Sequence, residues 1–460
     1  MNMPHDPSLH LFVDEHEVQE RVGFTRVVER PRRLSLEPVL RPDQAWEGRA
    51  VIGWGSVVRA VETGKLRMYY KCREKEGRVP ADMSMIGLAE SDDGLHWEKP
   101  DLGLVPFDGS THNNIVYRPD DFGEDWFTDG AGVHVEPNAG TERYKMATFL
   151  TGGTRQEFGI YGMTSEDGVH WTRPPKPLLP WQGDRFNFGY DDRAKRYVVT
   201  TRRHDNWRDS KFGRQTTRRV IAWAESEDFQ TFTPLTTVLK PDDLDPFDTQ
   251  FYGMVPFAWG NCYLGFLEIY DRQTERLHVQ LASSRDGRHW ERVGQREPFL
   301  DTGGEGSWDS NWVAFTGNPP LLFGDEMRLW YTGRPTGHGV PQVAAIGALT
   351  MRRDRFVGLA ARREGGMLIT EPVEVTGARL LINVNPRGGI LQVELLGDDA
   401  TPLPGFTRDE CAHLTEDRVA AEVAWKSAKI ATLRGQAVRL RLTGRNATVY
   451  AFRFADAVRQ

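Results

Sequence analysis

Three carboxylates lie where the sequence suggests acid–base chemistry: Asp129, Glu268 and Asp309. Glu268 interrupts the apolar run at residues 265–270, so a strand that is otherwise built for burial carries an acid. Burial disfavours the charged form and raises a carboxyl pKa, which is the property that a general acid needs. The alternative for Glu268 is an ion pair with an arginine of a neighbouring repeat. Asp129 and Asp309 each stand where an apolar strand begins, and their alternative role is to cap a turn.

A second set of residues has the chemistry of ligand binding. Tryptophan can stack on the face of a sugar, and arginine, histidine and carboxylate groups can hydrogen-bond hydroxyls or acidic groups. The candidates for substrate binding are Glu47, Trp54, Arg203, His204, Asp248 and Arg334. The alternative for Trp54 is packing between sheets. Residues 202–219 are strongly basic, which is typical of a solvated surface; if this segment leans over a cavity, it favours an anionic ligand such as a uronate or a sugar phosphate.

The elements that must position these side chains follow from a repeated phrase. Ser-Asp-Asp-Gly-Leu-His-Trp occupies residues 91–97, and close copies occupy residues 165–171 and 284–290. Two weaker copies end at Phe232 and Phe356, so the aromatic anchors recur every 58 to 74 residues. An apolar strand precedes each copy. A unit of this length, repeated five times, is typical of a radial array of four-stranded sheets and predicts a five-bladed β-propeller.

The repeated phrase itself is interpreted as structural. Asp-Gly between two strands favours a tight turn, in which glycine takes a positive φ and aspartate caps backbone N–H groups. His96, His170 and His289 recur at one turn position and are not grouped with other types of ligand. In a four-stranded antiparallel sheet this turn lies at the end opposite to the start of the first strand. We therefore predict the chemistry at that other end, where first strands begin and second strands end.

The rest of the chain extends an all-β architecture. Residues 1–365 are predicted to form the propeller, with residues 356–360 in its fifth blade and residues 11–28 as an outer strand that closes the ring. Beyond this boundary the repeat stops, and plain alternation of apolar and polar residues predicts a C-terminal β-sandwich over residues 366–460. Residues 408–423 look helical in part and are ambiguous.

Composition narrows the class of protein. The 460 residues carry a formal net charge of −7, which offers no general attraction for nucleic acid or an anionic membrane. Cys72, Cys262 and Cys411 are far apart and have neither metal-ligand nor disulfide spacing. The sequence shows no secretory leader and no apolar run of the roughly 18 residues that a membrane span needs. We therefore expect a cytoplasmic protein without nucleic-acid or membrane partners, although a chain whose signal peptide had been removed would look the same.

The architecture and several phrases resemble known glycoside hydrolases. The repeat followed by a β-sandwich resembles the levanase/invertase-like enzymes and their arabinanase-like relatives. The chain is also similar to a group of bacterial glycosyl hydrolases, in phrases at residues 11–14, 42–48, 143–146, 251–254 and 450–454. The resemblance implies three funnel carboxylates that cleave furanosides or related glycosides without a cofactor.

The chain departs from the invertase pattern at the catalytic motifs. It lacks Trp-x-Asn-Asp-Pro-Asn-Gly, and it has Val135-Glu136-Pro137 where Arg-Asp-Pro is expected. Its only Glu-Cys pair, Glu410-Cys411, falls in the predicted sandwich. Catalytic roles are therefore not carried over by motif.

The residues and the resemblance together predict a glycoside hydrolase acting on a carbohydrate substrate, with a furanoside and an acidic sugar as the two classes considered. Glu268 would donate the proton, and Asp129 and Asp309 would serve as base, nucleophile or modulator of a neighbouring pKa. No cofactor is expected, and a Ca²⁺ ion in the funnel is left open, as is the oligomeric state. Two alternatives stay open: a carbohydrate-binding propeller without turnover, and a phosphorylase, transglycosidase or lyase on the same scaffold.

Overall fold

The computed structural model describes residues 6–73, 84–119, 126–152, 158–208, 215–338, 340 and 343–456. Nearly all of its regular structure is strand, which confirms the all-β prediction. The helical segments of these residues are short 3₁₀ turns, at Ala45–Glu47, Gly140–Glu142, Arg408–Glu410 and Ile430–Leu433. None of the helices in this part of the chain has the length and apolar character needed to cross a bilayer.

Five sets of antiparallel strands, which we call sheets 1 to 5, follow one another along the chain, and four short strands precede them. Sheets 4 and 5 are joined into one larger sheet by a parallel pairing of Leu277 with Trp312. The preceding strands are β1 (His10–Leu11), β2 (Val18–Val22), β3 (Phe24–Val28) and β4 (Arg32–Arg33). Sheets 1 and 2 comprise β5 (Ala50–Ile52), β6 (Val57–Arg59), β7 (Leu66–Arg73), β8 (Ser84–Ser91) and β9 (Ile115–Tyr117), then β10 (Phe127–Val135), β11 (Tyr144–Thr151), β12 (Gly159–Ser165) and β13 (Leu179–Pro180). Sheet 3 comprises β14 (Phe186–Asp191), β15 (Arg196–Arg208), β16 (Gln215–Ser226) and β17 (Thr236–Leu239).

Sheets 4 and 5 continue the series. Their strands are β18 (Thr249–Trp259), β19 (Cys262–Asp271), β20 (Leu277–Ser284) and β21 (Glu291–Arg292), then β22 (Trp312–Phe315), β23 (Leu321–Phe323), β24 (Glu326–Arg334) and β25 (Ala345–Arg352). In sheets 1 to 4 each strand pairs with the next, except that β5 and β6 both pair with β7. In sheet 5 the order is β22–β24–β25–β4, so a strand from the start of the chain completes the last sheet.

The hairpin that carries each strong copy of the repeat has the predicted structural role. In the first copy the Asp93 carboxylate accepts hydrogen bonds from the backbone N–H groups of Leu95 and His96, at 2.8 and 2.9 Å. Gly94 has a φ of +74°, and equivalent glycines at 168 and 287 have φ values of +72° and +74°. The Trp97 indole N–H returns to the Gly94 carbonyl. This confirms that the Asp, His and Trp of the phrase shape a turn.

These turns also join each sheet to the one before it. The Trp330 indole N–H of sheet 5 donates to the Gly94 carbonyl of the sheet 1 turn, and the Tyr69 hydroxyl of sheet 1 donates to the Gly168 carbonyl of the sheet 2 turn, each at 2.8 Å. Phe229 of the sheet 3 turn lies in one apolar cluster with Ile160 of sheet 2. Trp290 of the sheet 4 turn packs against Trp223 of sheet 3, and Trp259 of sheet 4 is hydrogen-bonded to Asp354 of the sheet 5 turn. Each turn therefore contacts the preceding sheet, and the first contacts the fifth.

The remaining strands form two sheets around a separate apolar core. They are β26 (Val357–Ala361), β27 (Gly366–Thr370), β28 (Val373–Glu374), β29 (Arg379–Asn385), β30 (Ile390–Leu396), β31 (Arg418–Glu422), β32 (Ala437–Arg445) and β33 (Thr448–Ala455). One sheet has the order β3–β26–β33–β29–β31 with β1 on β33, and the other has the order β2–β27–β32–β28 with β30 on β32. Alternate apolar residues of β29, β30 and β32 meet in the core between them.

Two details of the strand prediction are wrong. Residues 11–28 were expected to close the ring, but β1, β2 and β3 pair with the C-terminal strands β33, β27 and β26. The strand expected at residues 356–360 in sheet 5 is β26, which pairs with β3 and β33 instead. The pattern of apolar residues shows that these segments are strands, but strand pairing depends on contacts between segments that are distant in sequence.

Candidate functional site

A tryptophan from the first strand region of sheet 1 marks the end of the sheets opposite to the Asp-Gly turns. The Trp54 carbonyl accepts a hydrogen bond of 2.7 Å from the N–H of Ala131 in sheet 2, which fixes its backbone beside β10. Two cations lie over its indole ring: Lys71 Nζ at 5.8 Å and Arg185 Cζ at 5.2 Å from the ring centroid. Since both cations are paired with candidate carboxylates, Trp54 is the point at which the predicted site comes together.

The first of these carboxylates is Asp129. Its Oδ2 atom lies 2.8 Å from Lys71 Nζ, and both side chains are buried. The register of β10 against β11 shifts between Asp129 and Gly132, and Gly130 has a φ of +76°. Such a bulge redirects a side chain from its place in the regular alternation. The local sequence Asp-Gly therefore turns Asp129 towards sheet 1.

The second carboxylate, Glu268, forms a buried ion pair with Arg185. Arg185 Nε donates to Oε2 at 2.9 Å and its Nη2 donates to Oε1, and the two side chains are only 1–2% exposed. Gly253 lies opposite Glu268 on the neighbouring strand, where a Cβ atom would come within 2.5 Å of Oε2. The alternative stated for Glu268, pairing with an arginine of a neighbouring repeat, is what the structure contains. Both oxygens of this carboxylate accept hydrogen bonds from Arg185, and the proton-donor role of Glu268 stays a prediction.

Aromatic rings extend the site from Trp54 towards sheets 4 and 5. The Tyr252 ring lies 6.2 Å from Trp54 and 4.9 Å from Trp312, between ring centroids. Tyr270 and His338 complete the group, each 5.8 Å or less from Trp312, and the Tyr252 hydroxyl lies 3.0 Å from His338 Nε2. We call Trp54, Tyr252, Tyr270, Trp312 and His338 the aromatic cluster. Its four tyrosine and tryptophan side chains are buried together in one apolar cluster.

Arginines lie over the faces of several rings of the aromatic cluster. Arg202 and Arg219 both lie over Tyr252, with Cζ at 4.6 and 5.2 Å from its centroid, and Arg219 is also 5.5 Å from Tyr270. Arg334 lies 4.9 Å over Trp312 and donates to the Gly337 carbonyl. Arg202 pairs with Asp184, whose burial raises its pKa but whose attraction to Arg202 prevails and lowers it. The cluster therefore combines apolar faces with fixed positive charge.

Two indole N–H groups of the cluster are unsatisfied donors. Within the described part of the chain, neither Trp54 Nε1 nor Trp312 Nε1 has a hydrogen-bond partner, although both are buried. A buried donor without a partner is costly, and a ligand or ordered water that accepts the hydrogen bond removes the cost. Both indoles are thus suited to donate to a hydroxyl oxygen.

Asp309, the third predicted carboxylate, has a different set of partners. Its Oδ2 accepts from Arg33 Nε and from the Tyr331 hydroxyl, both at 2.8 Å, and its Oδ1 accepts from the Ser307 hydroxyl at 2.8 Å. Arg33 belongs to β4, the strand that completes sheet 5. None of the contacts among the described residues links Asp309 directly to Trp54. The structure thus brings Asp129 and Glu268 together around one indole and pairs Asp309 with Arg33 of β4.

The predicted binding residues are divided in the same way. Trp54 and Arg334 belong to the aromatic cluster or contact it. His204 lines a cavity of about 270 Å³ at the edge of the cluster, together with Arg219, Gln250, Tyr270, Arg272 and Glu275. Arg203 is exposed beside it, and Asp248 accepts a hydrogen bond from Gln273.

Glu47 has the environment of a structural residue. It is 0% exposed, and its carboxylate accepts from the backbone N–H groups of Asp43 and Gln44, the Tyr70 hydroxyl and Lys99. These four donors all belong to the protein and tie the carboxylate to the segment before sheet 1, to β7 and to Lys99. A role for Glu47 in substrate binding stays a prediction.

The sequence analysis did not single out Lys71, Arg185 or Tyr252 as members of the site, and it included Arg219 only in the basic segment at residues 202–219. Arg185 stands directly before β14, in the position that led to the choice of Asp129 and Asp309, and Lys71 is near the end of a second strand. Their positions in the repeat could have indicated both residues, but the prediction of catalytic residues considered carboxylates at these positions and not the cations that pair with them. Among the described residues no three His, Cys, Asp or Glu side chains come together as metal ligands do.

Comparison with known proteins reveals similarity in structure only. No family model and no curated protein matches the chain. A solved structure described as an RGII complex is 13% identical with a TM-score of 0.50, covering 71% of this chain and 92% of its own. A β-1,2-mannobiose phosphorylase from Listeria innocua has 15% identity and a TM-score of 0.49 over 70% of this chain and 97% of its own. A glycosyl hydrolase from Bacteroides ovatus has 15% identity and a TM-score of 0.47, covering 74% of this chain and 98% of its own.

At such low identity the similarity extends to the fold and not to an activity. The first of these structures shares its fold with most of this chain. The residues that decide chemistry must be read from the site itself.

Proposed function

We propose that the protein is a glycoside hydrolase whose active site is the region around Trp54. The observation that carries the proposal is the meeting of two buried carboxylates, Asp129 of sheet 2 and Glu268 of sheet 4, at one indole through Lys71 and Arg185. Glycoside cleavage typically uses a pair of carboxyl groups on either side of the scissile bond. The adjacent aromatic cluster would hold the sugar ring and the indole N–H groups would bind its hydroxyls.

The architecture that we propose to support this site is a five-bladed β-propeller. Five consecutive sheets, each joined to the preceding one through its turn, and a first turn that contacts the fifth sheet support a closed ring. The second unit is proposed to be a β-sandwich. Strands β1 and β26 pair with β33, β2 pairs with β27, and β3 pairs with β26. We therefore propose that this unit includes residues 10–28 and 357–361, which the predicted boundary at 365/366 assigned to the propeller.

The contacts favour a revised division of roles between the acids. In hydrolysis the glycosidic C–O bond breaks, a proton reaches the leaving oxygen, and water adds to the anomeric carbon. Glu268, with both oxygens held by Arg185, suits the group that remains ionised beside developing positive charge. Asp129 is then the group that exchanges a proton or attacks, with Lys71 fixing one of its oxygens. Asp309 is proposed as a positioning residue for Arg33 and β4.

The test is the loss of bond cleavage in Asp129→Asn. Aryl glycosides and oligosaccharides, neutral and acidic, are incubated with the protein with and without orthophosphate, and products are identified by mass spectrometry. Against the substrate so found, Asp129→Asn should lower kcat/KM by about 10²–10⁴-fold, the usual contribution of a general acid or base. Asp409→Asn, an exposed aspartate of the C-terminal unit, is the matched control and should retain full activity.

Each product pattern decides between the open alternatives. Free sugars without orthophosphate support hydrolysis, a sugar phosphate formed only with orthophosphate identifies a phosphorylase, and an unsaturated sugar identifies a lyase. Binding without any product identifies a carbohydrate-binding protein and overturns the proposal. Full activity in Asp129→Asn overturns the assignment of the active site.

A further inference from the structure

The cavity beside Tyr270 lies at the edge of the aromatic cluster and is lined mainly by basic and polar groups. Its volume is about 270 Å³, close to the lower end of the range for small-molecule sites, and its lining residues are His204, Arg219, Gln250, Tyr270, Arg272 and Glu275. Glu275 is the single acid among them, and Arg272 beside it carries the opposite charge. The remaining charge in the lining is that of Arg219.

Arg219 is a partly buried cation of the cavity lining. It forms no ion pair with any described acid, and its Nη1 donates to the amide oxygen of Gln250 at 2.8 Å. Its Nε–H is buried and has no acceptor within the described residues. A guanidinium has five N–H donors and is usually satisfied by carboxylate or phosphate when it is removed from water.

A second arginine increases the positive charge at the same place. Arg202 and Arg219 share the face of Tyr252, and Arg202 Nη1 is also buried without an acceptor in the described part of the chain. Asp184 neutralises Arg202 but is not paired with Arg219. Burial, and after it the charge of Arg202, lowers the pKa of Arg219. Arg202 and Arg219 are therefore neighbouring guanidinium groups over one ring, and among the described ion pairs Asp184 is paired with Arg202.

The pKa values of two histidines near this cavity, His204 and His338, are lowered by burial and by the charges of Arg202 and Arg219. Burial, followed by Arg202 and Arg219, lowers the pKa of His204, and burial followed by Arg219 and Arg202 lowers the pKa of His338. A neutral imidazole can still donate one hydrogen bond to an anion without adding to the repulsion between cations. His204, which lines the cavity, is placed to do so.

We propose that this cavity is an oxyanion subsite, in which Arg219, assisted by His204 and Arg202, binds a carboxylate or phosphate group. The rest of the ligand would lie on the aromatic cluster, which is the active site of the proposed function, so the subsite specifies an acidic substrate or an anionic co-substrate for that site. The shared chemistry of the two sources is an oxyanion with at least two acceptor oxygens, which matches the fork of a guanidinium.

Binding without turnover tests the subsite. Isothermal titration calorimetry of the full chain at constant ionic strength is carried out with three probes: sodium glucuronate, inorganic phosphate and, as the neutral analogue, glucose. We expect binding of glucuronate or phosphate at least 10-fold tighter than that of glucose. Arg219→Gln should weaken binding of the anion about 10–100-fold, because a hydrogen bond to a charged group contributes that much to affinity. Arg219→Lys keeps the positive charge and should restore part of this affinity. Arg59→Gln, an exposed arginine of β6, is the control and should bind as the unaltered protein does.

Each outcome is decisive. Preference for glucuronate identifies an acidic sugar, and binding of phosphate alone identifies a phosphate group; both support the subsite. If neither anion binds more tightly than glucose, or if Arg219→Gln binds anions as well as the unaltered protein, the subsite is refuted. The affinities for glucuronate, phosphate and glucose are compared on the unaltered protein, so they test the subsite even if Arg219→Gln fails to fold. Anion binding in a protein that cleaves no glycoside refutes the proposed function alone, and cleavage without anion binding refutes the subsite alone.

Discussion

The two ends of the five sheets use the same residue types in different ways. At the turn end, Asp93 binds backbone N–H groups two and three residues ahead and the imidazole of His96, all within one hairpin. At the opposite end, Asp129 and Glu268 bind Lys71 and Arg185, which come from other sheets. The turn carboxylates are partly exposed and repeat almost unchanged, whereas those around Trp54 are buried and each has its own partner.

The difference shows how a carboxylate can be prepared for structure or for chemistry. A local backbone cap satisfies the acid wherever its hairpin forms, so its contribution is confined to that hairpin. A buried acid with a cation from another sheet is satisfied only when the sheets are assembled, and it is removed from water as a catalytic group must be. Residues that are costly to bury are therefore gathered at the end where we propose that the substrate binds.

The largest effect is expected from separating the buried ion pair. Glu268→Gln leaves Arg185 buried without its charged partner, so the free energy of unfolding should fall by about 3–5 kcal/mol. Urea denaturation followed by fluorescence measures the loss. Replacing both residues with methionine removes both charges and should recover most of the stability, because no unpaired charge is then buried. If the double variant loses as much as the sum of the single ones, the pair is not the source of the stability.

A smaller effect is expected from filling the space that the pair occupies. A Cβ at Gly253 would lie 2.5 Å from Glu268 Oε2 and 2.9 Å from Arg185 Nε, so Gly253→Ala should destabilise the fold by about 1–3 kcal/mol through overpacking. The same denaturation experiment measures it. Gly189→Ala is the matched control, because Gly189 is also on a strand and a Cβ there meets nothing within 4 Å. An equal cost at both positions would show that loss of glycine in a strand, and not crowding of the ion pair, causes the effect.

The smallest effect is expected at the turn end. Asp93→Ala removes the acceptor for two backbone N–H groups and should cost about 1 kcal/mol at pH 7, without loss of glycoside cleavage. Asp92→Ala, at the exposed neighbouring residue of the same turn, should cost less than this.

The cost at Asp93 should also depend on pH. The backbone N–H of His96, with other hydrogen bonds of the turn, holds the pKa of Asp93 well below its ordinary value, which is about 3.9 in an unfolded chain. A lowered pKa in the folded state gives stability that is present above the unfolded pKa and is lost as the pH falls towards the folded one. The difference in free energy of unfolding between the unaltered protein and Asp93→Ala should therefore be constant at neutral pH and shrink below about pH 4. A difference that stays unchanged down to pH 2 would contradict the charged cap.

Local features of the fold were predictable from the sequence. The Ser-x-Asp-Gly-x-His-Trp phrase predicts its turn because the hydrogen bonds found for the Asp93 carboxylate in the described residues all come from within three residues of it. The alternation of residues 379–385 and 390–396 predicts strands, since one face of each lies in a common core. The assignment of chemistry to the end away from the turns followed from the connectivity of a four-stranded sheet.

Features that depend on distant contacts were less predictable. Apolar character predicts strands at residues 24–28 and 357–361, yet it does not reveal that they pair with each other rather than with sheet 5. Glu268 in an apolar strand indicates a special acid, but its partner Arg185 is 83 residues away, and the sequence does not reveal that contact. Asp309 and Glu47 satisfy the same sequence rule as Asp129, but their side chains contact Arg33 and Tyr70 and not the residues around Trp54 that are described.

The sequence by itself determined that five similar hairpin units follow one another and that acids and aromatic residues occur at one end of them. These properties depend on residue type, spacing and hydrogen bonds within a few residues, which act before the chain is assembled. Only the tertiary structure decided which acids meet, because the partner of a buried charge is whichever side chain the packing of sheets brings within about 3 Å. The meeting of Asp129 and Glu268 at Trp54, and the excess charge of Arg219 beside it, result from that assembly.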